Sequence, residues 1–169
     1  AAVFSSIMSE AHNLIEYFSD NLDFRISINL SPIQFNRESL VLDLLATCQH
    51  HQISPQHIEF ELTESSMLEN LNTAIDISNQ LQAAEFKVAL DDFGTGYSSF
   101  SYLHKFQFHG IKLDRSFIEG VVDSERSQNI VKGICAMGDA LKLELLGEGI
   151  EQIEQAEFLL KQGCYKAVT

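Results

Sequence analysis

Apolar residues recur three and four apart from the start of the chain: Val3, Phe4, Ile7, Met8, Ala11, Leu14, Ile15 and Phe18 share one face of a helix. The period then drops to two. In FRISINLS (24–31), Phe24, Ile26, Ile28 and Leu30 alternate with Arg25, Ser27 and Asn29, the pattern of a strand, and Pro32 turns the chain out of it. Helical spacing returns in Leu40, Val41, Leu44, Leu45 and Cys48, with Asn36 as the expected N-cap. The two periods go on trading places. Strands are expected over IEFELTES (58–65), KVALDDFG (87–94), GIKLDRS (110–116) and LELLGEGI (143–150), and CYKAV (164–168) starts a sixth. Helices are expected over 71–81, briefly after Ser98, over 130–141, and through Ile153, Ala156, Leu159 and Leu160 to a stop at Gly163.

Strands that start at 24, 58, 87, 110, 143 and 164 are separated by the length of a βα unit. Strands joined by single helices form a parallel sheet, either open and doubly wound or closed as a (β/α)8 barrel, and the pattern itself leaves both open. A full barrel takes ~250 residues. If this 169-residue chain is a barrel, it lacks part of one, including the strand before the opening helix. No Pro, Gly or Ser-rich linker divides it, so residues 1–169 read as one domain.

Composition narrows the function. A formal net charge of -13 argues against a DNA or RNA polymer as partner, because phosphate-backbone binding needs a Lys/Arg surface. An anionic ligand would then need a bound cation as mediator. With 45% hydrophobic and 21% charged residues and no long apolar run, the chain reads as a globular domain without membrane contact. Cys48, Cys135 and Cys164 are odd in number and lack CxxC spacing, which points to buried thiols in a reducing, cytoplasmic setting. The opening AAVFSSIM has no initiator Met or leader pattern and reads as a piece of a longer chain.

The sharpest signal comes from placing unusual polar residues on the strand map. Asn29, Glu61, the pair Asp91 and Asp92, Lys112 and Glu148 each fall toward the C-terminal end of a different expected strand, the edge where parallel α/β folds keep their ligands and catalytic groups. Singly, each has a plainer reading: Asn29 as a turn residue, Lys112 and Glu61 as solvated side chains, the aspartates as turn chemistry. Together they are a hard-oxygen donor set suited to Mg²⁺ or Mn²⁺. Adjacent aspartates suit two ions, since one carboxylate can bridge while the other holds the second ion, an arrangement used for phosphoester hydrolysis. Lys112 would neutralise phosphate or orient the attacking water. An alternative, Lys112 as a Schiff-base amine of a lyase or aldolase, leaves the aspartates without a role. FGTGYSS lacks the GxGxxG and Walker patterns and reads as a mobile loop allowed by Gly94 and Gly96.

The strings INLSPIQF (28–35), FELTES (60–65), ALDDFGTGYSSFSYL (89–103), IKLDRSFI (111–118) and GEGIE (147–151) run in order across most of the chain and resemble the EAL domains that hydrolyse cyclic di-GMP in bacterial signalling. The resemblance implies a (β/α)8 TIM-barrel-like fold and a two-metal phosphodiesterase site opening cyclic di-GMP to linear pGpG. By position, it implies Asn29, Glu61 and Asp91 as ligands of one metal, Asp91 bridging to the second, and Asp92 and Glu148 on the second. Lys112 would hold the attacking water, Glu64 would anchor the loop Phe93 to Ser99, and Glu151 would support the site through other groups. A homodimer and upstream sensory or GGDEF domains are implied as partners. Two features depart from the pattern. The signature Glu-Ala-Leu segment, which supplies another metal ligand and a substrate-binding arginine, would lie before Ala1, and the family's Gln-Gly falls on Val168 and Thr169 without matching. The expectation is therefore a partial domain, with a catalytically weak cyclic di-GMP receptor or protein-interaction module as the alternative to an enzyme.

Overall fold

The six expected strands all form, and each observed pairing between them is parallel. They are seen in a computed structural model that describes residues 2–18, 24–63, 71–94, 103 and 105–168. The chain packs as two units, one within Ala1–Val88 and Ser101–Gln107, the other within Ala89–Phe100 and Phe108–Thr169.

The first unit contains α1 (Ala2–Tyr17), β1 (Ile26–Asn29), α2 (Pro32–Phe35), α3 (Leu40–His50), β2 (Ile58–Thr63), α4 (Leu71–Ala83) and the first residues of β3 (Lys87–Phe93). Strand β1 pairs with β2 from Ile26↔Ile58 to Asn29↔Glu61. The period-two pattern sends Ile58, Phe60 and Leu62 to one fully buried face. Phe60 packs edge-on against Phe4 at 6.4 Å and tilted against Phe86 at 5.3 Å. On the other face, Arg25 Nη1 meets Glu59 Oε2 at 3.3 Å.

Strand β1 is shorter than its sequence pattern because Ser31 already caps a helix. Its hydroxyl accepts from the Gln34 N–H at 3.4 Å, and the Gln34 side chain accepts from the Ser31 N–H at 3.1 Å, with Pro32 in the first turn. Asn36, expected as the N-cap of the next helix, instead ends α2, and Ser39 precedes α3. The short helix expected after Ser98 lies largely outside the described residues.

The second unit contains the rest of β3, β4 (Gly110–Leu113), α5 (Arg115–Ile118), α6 (Glu125–Leu141), β5 (Glu144–Glu148), α7 (Ile153–Lys161) and β6 (Lys166–Val168). Strand β4 pairs with β5 from Gly110↔Glu144 to Leu113↔Gly147, and β5 with β6 from Leu146↔Lys166 to Glu148↔Val168. Every residue of β4 is buried. Its pattern stops at Leu113 because Asp114 Oδ1 accepts from the Ser116 N–H at 3.0 Å and opens α5 where the sequence suggested more strand. Ser124 likewise starts α6 ahead of its first apolar residue, accepting from the Ser127 N–H at 3.2 Å. Val131, Ile134 and Cys135 of α6, Ile111 and Leu113 of β4, Leu145 of β5 and Leu159 of α7 form the core. At the C-terminal end of α7, Gly163 has φ +86, the left-handed position a helix stop favours.

The three cysteines are free and buried. Burial pushes the thiols of Cys48 and Cys135 up to about 11, and that of Cys164 upward as well. Among the described residues, no helix is long and apolar enough to cross a membrane.

Candidate functional site

Successive side chains on a regular strand point to opposite faces, so Asp91 and Asp92 could not both serve one site if β3 were regular. The register shows why they can. Ala89 pairs with Gly110 and Leu90 with Ile111, yet the next pair is Phe93 with Leu113, so β3 holds one residue more than β4 over this interval. The extra residue makes a β-bulge, and Asp92 takes the left-handed conformation there, with φ 53. The left-handed region costs a non-glycine residue roughly 1–2 kcal/mol, and aspartate is among those that tolerate it best. The bulge turns the second carboxylate back toward the first. Asp91, Asp92 and Glu148, the last residue of β5, each then offer an oxygen within 4.8 Å of the others. The Asp92 N–H also donates to Asp91 Oδ1 at 3.0 Å.

Such a cluster repels itself, the more so because Asp91 is buried. Lys112, on the adjacent strand β4, supplies the compensating charge. Its Nζ lies 3.1 Å from Asp91 Oδ1 and 2.6 Å from Glu148 Oε1, and only 10% of its side chain is exposed. The solvated lysine of the plainer reading is therefore excluded. Among the described residues, three clustered carboxylates stand beside the Lys112 ammonium that pairs with two of them, and all the acidic donors are hard oxygens. This set fits a divalent cation of the Mg²⁺, Mn²⁺ or Ca²⁺ type and does not fit a thiolate or imidazole metal site.

Asn29 and Glu61 belong to the first unit, where they are register partners on β1 and β2 and the Leu30 N–H donates to the Glu61 carbonyl at 3.1 Å. Glu61 is buried, not solvated. Glu64 and most of the loop it was expected to anchor lie outside the described residues, Phe93 and Gly94 excepted.

Glu151 is not one of the clustered carboxylates. It is exposed, and Arg115 Nη2 reaches its Oε1 at 3.0 Å. Arg115 also binds Glu119 through Nε at 2.6 Å. Between Glu148 and Glu151, Gly149 has φ +67, and a Cβ there would lie 2.7 Å from Arg115 Cγ, so the chain leaving β5 packs directly on the arginine stem. The same segment is held from α7 by buried Gln155, whose Oε1 accepts from the N–H groups of Glu151 at 2.9 Å and Gln152 at 3.0 Å. Its Nε2 donates to the Ile118 carbonyl at 3.4 Å. Sequence reasoning passed over both Arg115 and Gln155. The available signals were an arginine directly after a strand-end Lys-Leu-Asp, and a Gln three residues after Gln152 at a helix start, the spacing of a reciprocal cap.

Residues 2–167 match the family model described as the EAL domain. MucR of Pseudomonas aeruginosa, named a bifunctional diguanylate cyclase/cyclic di-GMP phosphodiesterase, is 34% identical over 160 residues, 94% of this chain and 23% of the relative. The solved structure of the PaMucR phosphodiesterase in complex with c-di-GMP aligns with TM-score 0.87 and 33% identity, covering 98% of this chain and 68% of that one. BlrP1 of Klebsiella pneumoniae, solved at pH 6 with manganese and cyclic di-GMP, aligns with TM-score 0.82 and 25% identity over 95% of this chain and 41% of that one. The chain spans about a fifth of the length of the curated relatives it matches. With its parallel βα order, its carboxylate cluster at a strand end and a family match over nearly all its residues, the chain belongs to the EAL domain family, and its fold is the α/β, TIM-barrel-like fold of that family.

Proposed function

We propose that this chain hydrolyses cyclic di-GMP to linear pGpG with two Mg²⁺ or Mn²⁺ ions, as part of a cytoplasmic signalling protein with sensory or GGDEF domains upstream and a homodimeric state. The observation that carries the reading is the bulge that turns the carboxylates of Asp91 and Asp92 together beside Glu148. The manganese and cyclic di-GMP complex of BlrP1 supports the ligand and the ion type, and the double activity in MucR's name supports the upstream domain.

Asp91, Asp92 and Glu148 of the second unit would hold a divalent ion, and Asn29 and Glu61 of the first unit are assigned as metal ligands as well. Divalent ions held there would supply charge to offset negative charge developing on the phosphoryl oxygens and would lower the pKa of an attacking water. Lys112, which pairs with Asp91 and Glu148 here, would orient that water through its ammonium N–H groups. Arg115 and Gln155 fix the backbone that leaves Glu148, and Glu151 acts through Arg115. Glu64 steadies the loop that follows the aspartates.

The test is chromatography of cyclic di-GMP incubated with the protein and Mg²⁺ or Mn²⁺. Formation of pGpG that stops in EDTA is expected. Calorimetric binding of the dinucleotide without turnover at any metal concentration would replace the enzyme reading with the receptor reading, and absence of both would reject the two together.

A further inference from the structure

We infer that Lys112 and a divalent cation compete for the Asp91–Glu148 carboxylate pair. In this scheme the lysine holds the metal-free centre together and swings off the pair as the ion enters, an inference that rests on the metal-centre reading above. The ammonium bridges two of the three clustered carboxylates at ion-pair distance, 3.1 Å and 2.6 Å. Asp91 and Glu148 are 12% and 27% exposed, so water screens their mutual repulsion only in part and a cation between them stabilises the pair. Lysine suits a displaceable occupant. It carries a compact point charge on a flexible stem, whereas the planar fork of arginine would lock onto the carboxylates.

The base of that stem does not move with it. Ile111 and Leu113 on either side are 1% and 0% exposed, so the backbone of β4 is pinned and only side-chain rotation is available. An entering dication outbids a monovalent ammonium for the same oxygens. The released Nζ stays within a side chain's reach, where it can meet a water or a phosphate oxygen. Metal occupancy and the placement of the water-orienting amine are thereby coupled.

The experiment measures Mn²⁺ binding by calorimetry and thermal melting in EDTA for the wild-type chain and Lys112→Met. Removing the competitor should tighten Mn²⁺ binding about tenfold or more, since a neighbouring unit charge is worth at least that much at short range. The same variant should melt about 5–10 °C lower in EDTA, because buried Asp91 and half-buried Glu148 lose their partner, and saturating Mn²⁺ should close most of the gap. Tighter binding with an unchanged EDTA melting point would mean simple charge repulsion and would overturn the inference, as would unchanged or weaker binding. If Lys112→Met does not survive purification, Lys112→Gln, neutral yet still a donor, is held to the same two criteria. Should neither wild type nor variants bind Mn²⁺, the metal-centre reading falls and takes the inference with it. If the wild type binds and the variants do not tighten, the inference alone falls.

Discussion

Replacing Gly94 by alanine tests how the bulge is held. Gly94 follows Asp92 by two residues and has φ +91, and a Cβ there would lie 2.3 Å from Phe117 Cζ and 2.6 Å from Cε2. The backbone conformation costs an L-residue roughly 1–2 kcal/mol. The ring, on short helix α5 and half-buried, must also move, and overpacking of this kind costs roughly 1–3 kcal/mol. A combined loss of about 2–5 kcal/mol is a large part of the roughly 5–15 kcal/mol that holds a domain folded. At about 2–4 °C per kcal/mol for a chain of this size, melting should drop by about 4–20 °C.

The assay is thermal unfolding in EDTA of Gly94→Ala alone, Phe117→Leu alone and both together, with Mn²⁺ affinity measured in parallel. Leucine removes the atoms that the new Cβ would strike, so in that background alanine should cost only the backbone part, about 1–2 kcal/mol. Because the displaced residue adjoins the bulge, Gly94→Ala should also weaken Mn²⁺ binding. A melting point within about 2 °C of wild type, or equal losses in both backgrounds, would refute the reasoning.

Asp91→Asn should abolish turnover to pGpG, since it removes the buried charge of the carboxylate cluster, and Glu64→Ala should lower the rate. Wild-type rates in both would refute the roles. The buried thiols predict alkaline sensitivity. Cys48 and Cys135 titrate near about 11 in the folded chain against an ordinary 9.0, so the native state binds those protons more tightly than the unfolded one. The stability this contributes is complete below pH 9 and is lost as pH rises toward 11. Melting measured across that window should fall less steeply in a Cys48→Ser, Cys135→Ser double variant. A disulfide-exchange reagent at pH 8 should label both thiols slowly in the native protein and rapidly in denaturant.

The order of helices and strands was written in the chain, because burying one face of each element imposes a period that only a helix or a strand can satisfy. Two short helices escaped, Pro32–Phe35 and Arg115–Ile118, since four residues are too few to display a period. Asn36 was misplaced because asparagine suits both ends of a helix, and its backbone closes α2 instead. Gln155 and Arg115 escaped because their partners, the Glu151 N–H and the Glu151 carboxylate, are brought to them only by packing of α5 and α7 beside the end of β5.

The sequence by itself determined which acids stand at strand ends, and that Asp91 and Asp92 stand together. Only the tertiary structure decided that both can turn toward Glu148 with Lys112 between. The bulge that does this is a mismatch in register between β3 and β4, a relation between two strands that neither one encodes alone.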